Sequence, residues 1–225
     1  MKRWALIIAG LYLLTLTAFT LPVVALAFFP RFTWNEAGEV YSSWPYWLWL
    51  VIMVASQFAL LAVPVRIASR RPVTRGSLWP TLLAGGLMMA GLVTGAVLSV
   101  YEFVVGEQGP GNWIGWVSAA VGGMTWLIWL VVFFRMSRSA NPSDLITRQC
   151  RWLFKGSILE LLIAVPTHIV ARSRDYCCAG FMTFMGLTMG VSVMLFAFGP
   201  AVFFLYAERW QRLQPKPLSQ TTGEV

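Results

Sequence analysis

Residues 78–101 read LWPTLLAGGLMMAGLVTGAVLSVY, a run without one charged side chain. About 20 apolar residues in helical form cross the hydrocarbon core of a bilayer, where the backbone finds no water and must satisfy its own amides. This run is long enough. On either side of it, comparable runs occupy residues 4–29, 44–65, 113–134, 152–170 and 180–206. A chain that is 58% hydrophobic and only 12% charged lies outside the range of soluble globular domains. The connections are too short for a separate catalytic module. The sequence therefore predicts an all-α integral membrane protein. Residues 1–213 form one domain, a compact bundle of six transmembrane helices, and residues 214–225, with Pro215 and Pro217, read as a disordered tail.

The charge of +8 is distributed as a membrane address. With the N-terminus inside, alternate loops carry Lys2 and Arg3; Arg66, Arg70, Arg71 and Arg75; Arg135, Arg138, Arg148, Arg151 and Lys155; and Arg209, Arg212 and Lys216. That is 14 of the 17 cations. The opposite loops hold Arg31, Arg172 and Arg174 with Glu36, Glu39, Glu102, Glu107 and Asp175. The positive-inside rule then places both termini in the cytoplasm of a multi-pass cell-membrane protein of the bacterial inner-membrane type. The bilayer itself is the first partner, and a membrane-protein partner or a second copy is compatible with the packing faces described below. No base-stacking platform or groove-reading motif accompanies the charge, so nucleic acid is not an expected ligand. Met1-Lys2-Arg3 and the apolar run that follows resemble a secretory signal, but the run exceeds the roughly 7–15 residues of a signal core and reads as an uncleaved first helix.

Trp34, Tyr41, Trp44, Tyr46, Trp47, Tyr101 and Trp113 fall at the outer ends of the runs, and Trp4, Trp79, Trp152 and Trp210 at the inner ends, as headgroup-level anchors do. Small residues at four-residue spacing predict close helix contacts: Gly91 and Gly95; Gly115, Ala119 and Gly123; Gly186 and Gly190. The stretch 35–38 reads as a short outer loop. Asn141-Pro142-Ser143-Asp144 reads as a helix start with Ser143 or Asp144 as cap, and the segment that follows reads as a helix lying on the membrane before entering it.

Unusual chemistry gathers in residues 160–178, ELLIAVPTHIVARSRDYCC. Glu160 is an acid at membrane depth, which costs at least ~2.5 kcal/mol on insertion scales and requires a partner, a proton or a cavity. Pro166 removes the amide that would bond the Leu162 carbonyl and predicts a kink. His168 is the only histidine, which excludes bis-histidine haem ligation, and haem is not expected. Arg172, Arg174 and Asp175 form an outer charge cluster, in which Arg172 can pair with Asp175 in a continuing helix or the arginines can bind Glu102, Glu107 or a phosphate. Cys177 and Cys178 are adjacent, a spacing suited to a vicinal disulfide or a soft ion of low coordination number. Cys178, Met182, Met185 and Met189 follow at helical spacing, and thiolate and thioether ligands suit a soft transition metal.

Three functions stand on these residues. The first is binding or translocation of a soft metal cation, with His168, Cys177 and Cys178 as ligands and Glu160, Met182 and Met185 along a cation or proton path. The second is an accessory or assembly subunit without chemistry of its own. The third is a membrane thiol or quinone oxidoreductase. The chain has no Gly-x-Ser-x-Gly, His-Glu-x-x-His or P-loop motif, and an enzyme is not the favoured expectation.

Overall fold

The computed structural model describes residues 33–68, 75–106, 113–139, 142–174 and 179–213, together with a set of helical positions between 10 and 25. The first predicted span is thus described only in part. The tail, Asp175, Cys177 and Cys178 lie outside the described residues.

All described elements are helical. The short helix α1 (Trp34–Ser42) precedes α2 (Trp44–Ala68). A 3-10 turn (Arg75–Leu78) leads into α3 (Trp79–Val105), and α4 (Trp113–Ser139), α5 (Pro142–Arg172) and α6 (Phe181–Leu213) follow. Three segments, Trp79–Val105, Trp113–Arg138 and Asp144–Arg172, are long and apolar enough to cross a membrane, and Tyr46–Leu60 and Phe181–Ala197 are shorter apolar stretches within α2 and α6.

Helix α3 is the hub, packing against α2, α4, α5 and α6. Half of its apolar window is buried, against 6% for α4. Glycines set the register, since a Cβ built on each would meet a specific neighbour. On Gly85 it would lie 3.2 Å from Phe133, on Gly86 3.1 Å from Trp126, and on Gly122 3.1 Å from Thr94. Rising numbers on α3 meet falling numbers on α4, so these two helices are antiparallel. Against α5 the pairs rise together: Gly85 with Gln149, Leu92 with Gly156, and Gly95 with Glu160. Helices α3 and α5 are parallel, and α6 runs antiparallel to both, with Gly186 against Gly95 and Met189 against Gly91.

An apolar cluster of Met53, Leu60, Leu78, Leu82, Phe133, Leu145, Ile146, Leu153 and Phe196 closes the end of the bundle where α3 and α5 begin. Trp34 and Trp44 are 74% exposed, as headgroup anchors require, whereas Tyr46 is buried and stacks edge-on with Tyr41 at 5.1 Å.

Three expectations are corrected. The stretch 35–38 lies within α1. The segment after Asn141 does not form a separate surface helix: α5 runs unbroken from Pro142 to Arg172, because Leu145, Ile146 and Leu153 are drawn into the apolar cluster with no exposure. The side chain of Ser143 lies outside the described residues. The small-residue stripe of α4 does not face the bundle, since Cβ atoms on Gly115 and Gly123 would meet nothing within 4 Å. Contact with α3 runs instead through Gly122, Trp126 and Phe133.

Candidate functional site: a polar seam between three helices

The buried face of α5 repeats at three- and four-residue spacing: Leu145, Gln149, Leu153, Ser157, Glu160, Ala164, His168 and Ala171 are all at most 4% exposed. Four of these, Gln149, Ser157, Glu160 and His168, are polar. From Gln149 to His168 the helix rises about 28 Å at 1.5 Å per residue, close to the roughly 30 Å of a hydrocarbon core. Polar side chains thus recur along the inward face of α5 over the depth of a bilayer.

Glu160 is 2% exposed, and neither carboxyl oxygen has a hydrogen-bond partner among the described residues. Its seat is made of glycine. A Cβ on Gly95 would lie 3.2 Å from Oε1 and one on Gly186 3.0 Å away, while one on Gly190 would collide with Oε2. The stripes Gly91/Gly95 and Gly186/Gly190 therefore do two things. They let α3 and α6 approach so closely that a Cβ on Gly95 would lie 3.1 Å from Cα of Gly186, and they leave the volume that the carboxyl group fills.

The groups facing this seat accept hydrogen bonds. The Ser99 hydroxyl donates its one proton to the Gly95 carbonyl at 2.8 Å. Ser99 Oγ, the Gly95 carbonyl and Glu160 Oε1 converge on the point where Gly186 lacks a side chain. Ser157 likewise donates to its own helix, to Leu153 O at 2.9 Å. A carboxylate, which can only accept, finds no donor among the described residues. A carboxylic acid has an O–H to give to these oxygens.

At the far end of α5 the seam closes in a charged clamp. Gly180 has φ +90° and precedes the first residue of α6, and a glycine there has no side chain to cap the helix. Glu102 of α3 supplies the cap from outside. Its Oε1 accepts from Gly180 N at 2.6 Å and its Oε2 from Thr183 N at 2.7 Å. In a capping box these two amides are bonded by two side chains of the helix itself; here one carboxylate serves both and adds negative charge at the positive end of the helix dipole. Arg172 Nη1 donates to Ala179 O at 3.1 Å. Ala179 O and Gly180 N belong to the same peptide unit, so an arginine holds its oxygen side and a glutamate its nitrogen side.

His168 joins this clamp. His168 Nδ1 is 2.8 Å from Thr183 Oγ1, and the same hydroxyl lies 3.0 Å from Gly180 O, so Thr183 fixes the ring against the start of α6. Arg174 completes the end of the bundle by capping α3: Nη1 donates to Glu102 O at 3.1 Å and Nη2 to Phe103 O at 2.7 Å. Cations favour this helix end. Gly106, with φ +58°, leaves room for that arginine, since a Cβ there would lie 2.7 Å from Nη1.

The expected site residues are thus distributed as follows. His168 and Arg172 meet at the clamp, where both flank Gly180, and Arg174 lies beside it on the end of α3. Glu160 sits two to three helical turns deeper in the same seam. Met182 is half-buried and Met185 is 44% exposed; Met189 borders the Glu160 seat, since a Cβ on Gly95 would lie 3.6 Å from its Cβ and 3.2 Å from Glu160 Oε1. Among the described residues no three His, Cys, Asp or Glu side chains are grouped to hold a metal.

Glu102 is the functional residue that the sequence reading misplaces. It sits inside α3, 6% exposed, rather than in an outer loop. A signal was present, since Tyr101-Glu102-Phe103-Val104-Val105 carries the apolar character of the helix beyond Tyr101. Gln149, fully buried, carries no such signal, because a glutamine between Arg148 and Arg151 reads as surface.

No protein-family model, curated protein or solved structure matches this chain.

Proposed function

We propose that this is a six-span membrane protein, with both termini in the cytoplasm, that takes up and releases a proton at Glu160 as the central step of a cation-coupled transport process. The observation that carries the reading is the Glu160 seat: an acid at membrane depth, without a hydrogen-bond partner among the described residues, enclosed by the glycines of two other helices. Burying such a group is unfavourable, so it is retained for what it does. The tight seat favours the proton over a metal at this position. Zinc or calcium would need four or more ligand atoms at about 2.0–2.6 Å, and the walls next to the carboxyl group are glycine Cα atoms. Proton counting on the purified protein in nanodiscs tests this. The Glu160→Gln variant takes up one proton fewer per chain across a pH titration, and equal uptake by both proteins overturns the assignment.

A second reading concerns the outer end. The hydrogen bond between His168 Nδ1 and the Thr183 hydroxyl orients the ring in the manner of metal-binding histidines, whose second nitrogen is held by a neighbour. Cys177 and Cys178 lie in the connection that follows α5. Soft-metal binding there predicts that the purified protein carries copper or zinc, lost in a Cys177→Ser/Cys178→Ser double variant. Equal metal content in the two proteins removes this reading and leaves that of an accessory subunit beside proton exchange.

The topology follows from the 14 inward cations of 17. A cysteine introduced at Arg138 is labelled by a membrane-impermeant thiol reagent from the cytoplasmic side, and one at Glu107 from the outside. The reverse pattern contradicts the cytoplasmic placement of the termini, and labelling of both from the same side contradicts the span between them.

A further inference from the structure

Eleven residues before Glu160, on the same buried face of α5, Gln149 is fully buried, and neither atom of its carboxamide has a hydrogen-bond partner among the described residues. It is seated as Glu160 is, on a glycine of α3: a Cβ on Gly85 would lie 3.4 Å from Gln149 Nε2. A second carboxamide, Gln57 of α2, is 5% exposed with its oxygen likewise unpartnered among the described residues. It lies on the buried face of α2 with Met53, Ser56 and Leu60, the helix whose Ala59 O accepts from Thr81 of α3 at 3.0 Å. Two desolvated amides therefore lie on the buried faces of α2 and α5, helices that both pack on α3 and touch each other, beside the apolar cluster. Leaving such groups unpaired costs about 1–3 kcal/mol each, and the ordinary ligand of a buried unpaired amide in a membrane bundle is water.

We infer that Gln149 and Gln57 form a water-binding station on the basic-loop side of the bundle, through which Glu160 exchanges its proton with the cytoplasm. This rests on the proton reading of Glu160. The geometry also supplies a plug. Leu153, fully buried, lies one turn from Gln149 and one turn from Ser157, so on the buried face of α5 it is the one apolar residue between the station and the hydroxyl one turn before Glu160. Water held at Gln149 approaches Glu160 when Leu153 moves aside. A proton passes from a hydronium at the station to a Glu160 carboxylate, leaving water and the acid, and returns by the reverse step.

The experiment uses the full chain in nanodiscs and follows the C=O infrared band of protonated Glu160, identified by its loss in Glu160→Gln, as the buffer is changed to D2O. The band shifts as the carboxyl proton is replaced. Gln149→Met, which keeps length and volume but removes the amide, slows this exchange at least tenfold without reducing the size of the band, and Gln57→Met slows it less. Leu153→Ser, which puts a hydroxyl in the plug, speeds it. Unchanged exchange in Gln149→Met together with no gain in Leu153→Ser overturns the station while leaving the Glu160 reading intact. Absence of the band from the wild-type protein overturns both. If Gln149→Met does not fold, the direction of the Leu153→Ser effect decides alone.

Discussion

Glu102→Ala is expected to destabilise the bundle by about 2–4 kcal/mol, read from unfolding of the detergent-solubilised protein in SDS. Interhelical hydrogen bonds in a bilayer average only about 0.6 kcal/mol, because the separated helices find other partners. Two features place Glu102 above that average. Its carboxylate holds two amides at once, and bonds to a charged group contribute about 1.5–3 kcal/mol each. Those amides also belong to a helix N-terminus whose cap position is a glycine, so no side chain within α6 replaces the lost acceptor. Glu102→Gln keeps one acceptor oxygen but turns an NH2 group toward a backbone N–H, and should lose about half as much. Glu102→Asp is one methylene too short to reach both amides and should resemble the alanine variant. A loss below about 0.5 kcal/mol for Glu102→Ala, within the ordinary range for a surface change, would mean that the clamp does not secure α6.

The second large effect has the opposite sign for the fold. Glu160→Met, unbranched and similar in volume, should raise stability by about 1–3 kcal/mol, since it replaces a desolvated acid by an apolar group where insertion scales penalise a charge by ~2.5 kcal/mol or more. The same variant should abolish proton uptake at this site. A residue whose removal strengthens the fold while ending the chemistry is there for the chemistry. The seat itself can be tested through Gly190, where an added Cβ would collide with Glu160 Oε2 and crowd Leu161 at 2.8 Å. Gly190→Ala should cost about 1–3 kcal/mol by overpacking, and much less in a Glu160→Ala background. That non-additivity is expected of residues in direct contact. If the two substitutions simply add, the carboxyl group does not occupy the position described. If Glu160→Met destabilises instead, Glu160 is a structural residue and the transport reading loses its support.

The bilayer address of this chain was legible at sequence level because it depends on length and apolarity, quantities that need no partner. The 78–101 run and its neighbours give α2 to α6 nearly at their observed places. The inward placement of Glu160 was also within reach, since a lone acid in an apolar run must avoid lipid, and the Gly91/Gly95 and Gly186/Gly190 stripes announced close packing. That these stripes seat the acid was not legible. Which glycine faces which carboxylate depends on the relative rotation and register of three helices, and spacing along one helix does not contain it. The same gap explains Glu102, whose role exists only because the first residues of α6 arrive beside the end of α3. It explains the α4 stripe as well: Gly115, Ala119 and Gly123 have the spacing of a packing face, and α4 meets α3 through Gly122 and its larger neighbours instead. At the start of α5, Leu145, Ile146, Cys150, Trp152 and Leu153 read as a face for the membrane surface, whereas Leu145, Ile146 and Leu153 are buried in the bundle; an apolar stripe does not say whether lipid or a neighbouring helix covers it.

The central claim, that Glu160 is an internal carboxyl group exchanging one proton within a seat of glycines, is tested most directly by pH-difference infrared spectroscopy of the nanodisc-embedded protein. The account predicts one carbonyl band of a protonated carboxylic acid in a dry environment, reversible with pH, shifted in D2O and missing from Glu160→Gln. A spectrum in which no such band changes with pH, or in which the band survives in Glu160→Gln, would contradict it.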